Sequence, residues 1–204
     1  MTKIKLCGLR RSCDIDYANE LRPDFIGFVF SAKSKRYITF DEAERLRKRL
    51  NNGIIPVGVF VNEAVESIEY LVNRNIIGAV QLHGSENNEY IKKLRGKVNC
   101  PIIQAFCIET NENLQKAEKS EADYIMLDSG GGTGKTFNHS LISNLKRDFF
   151  LAGGLNGENV SIAISKYQPY AVDASSSLET DGVKDKNKMT AFVRVVRYGK
   201  DEVK

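Results

Sequence analysis

The chain has 204 residues, 42% hydrophobic and 27% charged, with a formal net charge of +4. These ordinary globular values exclude a disordered chain, and the length suits one domain with a substantial core. The longest apolar runs, such as Phe149 to Leu155, fall far short of the roughly 18 residues that cross a bilayer, so no membrane partner is expected.

The mild positive charge does not define a nucleic-acid surface. Its densest cluster, Arg45 to Arg49 in E-R-L-R-K-R-L, lies in a helical pattern without interleaved aromatic residues and reads as a solvated helix face. The opening M-T-K-I-K-L-C-G has neither a long apolar stretch nor a small-residue cleavage site, so a cytoplasmic protein is expected. Four cysteines, at positions 7, 13, 100 and 107, form no C-x-x-C pair, and with two histidines they make no recognisable zinc set. Reduced thiols are the simplest account.

Taken in order, Lys3 to Cys7 is a strand signal, Gly8 to Arg11 a turn, and Ser12 a cap for a helix through Leu21. Asp24 to Phe30 is a second strand, followed by the polar loop S-A-K-S-K-R-Y-I. Thr39 and Glu42 form a capping box for a helix whose Ala43, Leu46 and Leu50 share one face. Further strand signals cover Ile55 to Val61, Gly78 to His83, Pro101 to Phe106, Asp123 to Asp128, Phe149 to Ala152 and Tyr170 to Ala174. Between them lie helical patterns with caps at Asn62, Ser85, Thr110, Asn138 and Asn156. A last helix from about Lys186 places Met189, Phe192 and Val196 together.

Eight strand signals alternate with eight helical ones, at about 25 residues per pair, which points to parallel βαβ units. Eight units predict a single (β/α)8 barrel, a TIM barrel near the short limit of that fold, with an open doubly wound sheet as the rival.

After the sixth strand comes S-G-G-G-T-G-K-T, in which four of the six residues from Gly130 to Lys135 are glycine. Gly134-Lys135-Thr136 gives the ending of a P-loop, but the leading glycine falls where the chain has Ser129. The other reading makes Asp128 the working residue and the glycines a flap beside it.

In a parallel barrel the active site lies at the carboxyl ends of the strands. Strand parity then selects the inward residues. Ile4 and Leu6 must face the helices, so Lys5 and Cys7 point inward. The same rule turns Gln81, His83, Asp128 and Asp173 inward. Each alone has a structural reading: a small buried thiol, a satisfied histidine, a turn cap, a loop anchor. Together they converge on one mouth. The loops A-G-G-L-N-G after the seventh strand and D-A-S-S-S-L-E around the end of the eighth leave backbone N–H groups accessible, as a phosphate cradle would. That cradle is better placed than the glycine loop and weighs against the P-loop.

These motifs, in this order, resemble phosphoribosylanthranilate isomerase: K-I-K-L-C-G-L, then G-F-V-F-S-A-K-S-K-R-Y-I from Gly27, V-G-V-F-V-N from Val57 and V-Q-L-H-G-S-E from Val80. They continue as L-D-S-G-G-G-T-G-K-T-F-N from Leu127, L-A-G-G-L-N-G-E-N-V from Leu151 and V-D-A-S-S-S-L-E from Val172. The resemblance implies an Amadori rearrangement of N-(5-phosphoribosyl)anthranilate, with no metal or organic cofactor. By motif position it implies Cys7 as general base and Asp128 as general acid. It implies Arg36 as partner of the anthranilate carboxylate, and Gly153, Gly154, Ser176 and Ser177 as the phosphate site. His83 and Asp173, from their strand-end positions, are expected to touch substrate. Lys5, one layer below Cys7, is expected to favour its thiolate.

The chain departs from the family pattern at Lys35, where proline is usual, at Ser177, where glycine is usual, and at Asn138-His139, where an aspartate-tryptophan pair is usual. Ser177 would crowd the phosphate if that position needed positive φ. Two rivals remain at this point. An isomerase of the histidine pathway uses an aspartate where this chain has Cys7, and a silent barrel would bind a phosphorylated metabolite without turning it over. A small phosphorylated substrate is the expected partner; monomer and homodimer are both open.

Overall fold

The computed structural model describes residues 1–128, 145 and 147–199. Eight parallel strands close into a barrel in chain order: β1 (Lys3–Cys7), β2 (Phe25–Val29), β3 (Ile55–Phe60), β4 (Ala79–Leu82), β5 (Ile102–Cys107), β6 (Tyr124–Asp128), β7 (Phe149–Ala152) and β8 (Ala171–Ala174). Closure is made by β8 against β1, with Lys5 opposite Asp173 and Leu6 opposite Ala174. Every strand therefore has two neighbours, which removes the open-sheet alternative.

The described helices are α1 (Ser12–Leu21), α2 (Phe40–Arg49), α3 (Val65–Asn73), α4 (Asn88–Arg95), α5 (Asn111–Glu118), α6 (Val160–Tyr167) and α7 (Lys186–Tyr198). The helical signal capped at Asn138 and the glycine-rich loop lie outside the described residues. The box at Thr39 forms as expected: the Glu42 amide donates to Thr39 Oγ1 at 3.2 Å, and the Thr39 amide to Glu42 Oε2 at 2.7 Å. Thr110 caps α5 in the same way. Other caps differ. Asp14, not Ser12, accepts the amides of Arg10 and Arg11 ahead of α1, and Asn87 caps α4. Asn62 instead accepts from the Ser85 amide at 2.9 Å, tying two loops together. Short polar side chains reach several amides, and sequence spacing does not decide between them.

Strand parity holds. Ile4, Leu6, Ile26, Phe28, Val80, Leu82, Ile125 and Leu127 join helix residues such as Ile15, Leu46, Ile68 and Leu94 in the outer core. Phe25, Val57, Ala79, Ile103, Met126 and Phe150 fill the barrel, and Cys7, Val29 and Val59 form a separate small group. Burying each large apolar side chain in these layers contributes about 1.5–3 kcal/mol.

The barrel floor, at the amino ends of the strands, is aromatic. Tyr124 stacks on Tyr170 with centroids 4.7 Å apart, Phe150 lies 5.5 Å from Phe25, and Lys3 Nζ sits 4.9 Å from the Tyr170 ring. After β8 come a 3-10 turn (Ser176–Leu178) and a hairpin of β9 (Glu179–Thr180) and β10 (Val183–Lys184). Its two turn residues, Asp181 and Gly182, have φ of 51° and 75°, the left-handed pair of a type I′ turn.

Candidate active site

β1 delivers the first group of side chains. Lys5 is fully buried, and its Nζ donates to Asp173 Oδ1 at 2.7 Å across the β1–β8 seam. Burial works against the Lys5 charge, but Asp173 and Cys7 outweigh it and hold the ammonium above its ordinary value. Cys7 lies two residues on, opposite Gly27 of β2. A Cβ at Gly27 would collide with Cys7 Sγ, so glycine makes the room for the thiol.

The Cys7 thiol differs from the expectation. Burial pushes it above its ordinary value, and the lowering influence of Lys5 and Lys184 does not overcome this. Burial is the main cause, and the negative charge of Asp173, paired with Lys5, adds to it.

Arg36 crosses the same rim. Gly8, with φ of 80°, lies under the Arg36 stem, and a Cβ there would strike Arg36 Cδ. The guanidinium is gripped by Glu179, with Nε donating to Oε1 at 2.6 Å and Nη2 to Oε2 at 2.7 Å. Glu179 Oε1 also accepts from Lys184 Nζ at 2.6 Å, and Lys184 donates to the Ser175 carbonyl at 2.9 Å. Burial opposes the Glu179 charge, yet Arg36 and Lys184 hold its carboxyl below the usual range. Burial pushes Lys184 down despite Glu179 beside it.

The second group stands on the opposite arc, where β4 and β6 flank β5. Gln81 Nε2 lies 3.0 Å from His83 Nδ1, and it also approaches Met126 Sδ at 3.3 Å. With the Gln81 amide donating, this network assigns the ring proton to Nε2. That atom is 4.0 Å from Asp128 Oδ2, at ion-pair range rather than hydrogen-bond range. Gln81 Oε1 is buried with no hydrogen-bond partner among the described residues.

The loops after β7 and β8 form a third group. Gly153 and Gly154 have φ of 93° and 65°, a turn that favours glycine at both positions. Ser176 and Ser177 open the 3-10 turn, where the first amides have no carbonyl within the turn. Ser177 is not among the residues with positive φ, so a side chain is accommodated there. Its Oγ donates to the Leu155 carbonyl at 2.5 Å and ties the two loops together. Among the described residues no group of three or more His, Cys, Asp or Glu side chains is spaced to hold a metal ion.

The structure thus gathers Cys7, Asp173 and Arg36 on one arc and His83 and Asp128 on the other, with Gly153, Gly154, Ser176 and Ser177 in the adjoining loops. Glu179, Lys184, Gly27 and the role of Gln81 were missed. The Asp181-Gly182 pair was the available signal for the first two, because a D-G turn brings the residues flanking it side by side.

Fold and mouth together define a (β/α)8 barrel of the enzyme type, with titratable groups and small-residue loops collected where the strands end. The family model described as N-(5'phosphoribosyl)anthranilate (PRA) isomerase matches residues 4–195. The isomerase of that name from Caldanaerobacter subterraneus subsp. tengcongensis is 44% identical over 204 residues, covering 97% of this chain and 98% of that one. The crystal structure of phosphoribosyl anthranilate isomerase from Thermotoga maritima superposes with a TM-score of 0.88 at 37% identity, covering 95% of this chain and 98% of that one. A further structure of the enzyme, in complex with reduced 1-(o-carboxyphenylamino)-1-deoxyribulose 5-phosphate, gives 0.86 at 36% identity and covers 95% and 97%. The chain belongs to the N-(5'-phosphoribosyl)anthranilate isomerase family and is an isomerase.

Proposed function

We propose that this chain converts N-(5'-phosphoribosyl)anthranilate to 1-(2-carboxyphenylamino)-1-deoxyribulose 5-phosphate in tryptophan biosynthesis, with Asp128 as general acid and Cys7 as general base. The observation that carries this reading is the pairing of a carboxyl group at the end of β6 with a thiol at the end of β1, on opposite arcs of one mouth. A substrate lying across the mouth meets an acid on one side and a base on the other.

Asp128 protonates the ribose ring oxygen, and the ring opens to an imine. The imine makes the neighbouring C2–H acidic, and Cys7, in its thiolate form, takes that proton and becomes the thiol, leaving an enolamine. Tautomerisation gives the ketone. Every step is a proton transfer between substrate and side chains of this kind, each worth about 10²- to 10⁴-fold. Arg36 holds the anthranilate carboxylate, the turn at Gly153-Gly154 and the amides of Ser176 and Ser177 hold the phosphate, and His83 and Asp173 touch the sugar. Lys5 acts by limiting how far burial raises the Cys7 thiol.

The test uses phosphoribosylanthranilate carrying protium or deuterium at ribose C2, under single-turnover conditions. Consumption of both, slower for the deuterated form, supports the scheme. If neither is consumed, the substrate is wrong, and the histidine-pathway ribotide is the next to try. Equal rates would remove C2–H abstraction from the slow chemical step.

A further inference from the structure

Among the described residues, Arg36 is held from one side only. Glu179 takes the side edge of the guanidinium, Nε with Nη2, in two parallel hydrogen bonds of 2.6 and 2.7 Å. The end edge, Nη1 with the second hydrogen of Nη2, carries no hydrogen bond to the described residues. Each edge of a guanidinium matches one carboxylate, so a second carboxylate fits here without displacing the first.

Glu179 is itself braced. Lys184, with a side chain only 1% exposed, donates to Glu179 Oε1 and to the Ser175 carbonyl. Ser175 Oγ in turn donates to the Cys7 carbonyl at 3.1 Å. A chain of contacts therefore runs from the backbone of the proposed base to the guanidinium. Its charges leave one positive in excess: Arg36 and Lys184 against Glu179. Lys184 offsets Glu179, and the free edge of Arg36 keeps its pull on an anion.

We infer that Glu179 is a specificity-determining positioning residue: by holding the side edge of Arg36, braced by Lys184, it aims the end edge at the aryl carboxylate of the substrate. The inference rests on the isomerase reading above. An arginine fixed before the ligand arrives loses less rotamer freedom on binding than one on a free stem, and its geometry favours a planar carboxylate in one orientation.

The experiment compares two ligands, the reduced product analogue with its ortho carboxylate and the anilino analogue without it. They are titrated into the wild type, Glu179→Gln, Arg36→Ala and the double variant. Glu179→Gln should weaken the carboxylated ligand roughly tenfold and raise KM more than it lowers kcat, while leaving the anilino ligand unchanged. In the Arg36→Ala background the same change should add nothing. Equal weakening of both ligands by Glu179→Gln makes its role merely structural and overturns the inference. Tighter binding of the carboxylated ligand makes Glu179 a competitor and overturns it as well. A wild type that does not prefer the carboxylated ligand defeats the isomerase reading itself, and the inference falls with it.

Discussion

At the amino ends of the strands Phe25, Tyr124, Phe150 and Tyr170 close the barrel with ring centroids between 4.7 and 5.7 Å apart, while at the carboxyl ends the interior holds Lys5, Cys7, Gln81 and Asp173. The floor is what packing alone would choose: large rings and one cation over a ring face. The mouth is not. A fully buried lysine and a buried glutamine amide each cost stability that an apolar side chain of similar size would not. One barrel therefore separates its tasks along the strands, stability below and chemistry above.

The sharpest way to break this contrast is at the base. Cys7→Ala should lower kcat by about 10²- to 10⁴-fold with little change in melting temperature, because it removes one small atom from a three-residue cluster. Phe150→Ala should do the opposite. It packs against Phe25, Tyr124 and Tyr170, and its truncation should cost about 3–5 kcal/mol in urea unfolding while kcat in the folded fraction stays near wild type. A turnover loss in Phe150→Ala as large as that in Cys7→Ala would erase the distinction between the two ends.

Arg36→Ala should raise KM by about 10- to 100-fold and lower kcat less, as expected for one lost charged contact to the substrate. An unchanged KM would take Arg36 out of the site. The smallest effect concerns pH. In the proposed mechanism the thiolate is the base, and the folded Cys7 thiol lies above its ordinary value, so kcat/KM should keep rising with pH beyond the titration of a free thiol. Lys5 pulls the thiol down, so Lys5→Met should move that limb further upward. The same variant should melt earlier, because Asp173 loses its buried partner. A limb that stays in place would show that Lys5 serves the fold alone.

The fold was legible because it rests on repetition. Eight strand signals at even spacing, with Ile4 and Leu6 forced outward, were enough to turn Lys5 and Cys7 into the barrel before any coordinates. What eluded the sequence were pairings between distant residues. Glu179 lies 143 positions from Arg36, and nothing in either local pattern announces their bond. The Cys7 environment was half legible: Lys5 was correctly placed beside it, but the depth of burial, which outweighs Lys5 at the thiol, and the charge of Asp173, paired with Lys5 from 168 residues away, were not legible. The caps misassigned to Asn62 and Ser85 failed for the same reason, since each found its partner in another loop. Position within an element is written locally; partnership across the barrel is not.

Freshly made phosphoribosylanthranilate, mixed with the purified protein without added metal and followed by loss of its fluorescence, puts the proposed chemistry to the test, with Asp128→Asn alongside. Rapid loss with the wild type and almost none with the variant is the predicted result. Equal loss with both proteins would contradict Asp128 as the acid, and no loss with the wild type would contradict the reaction.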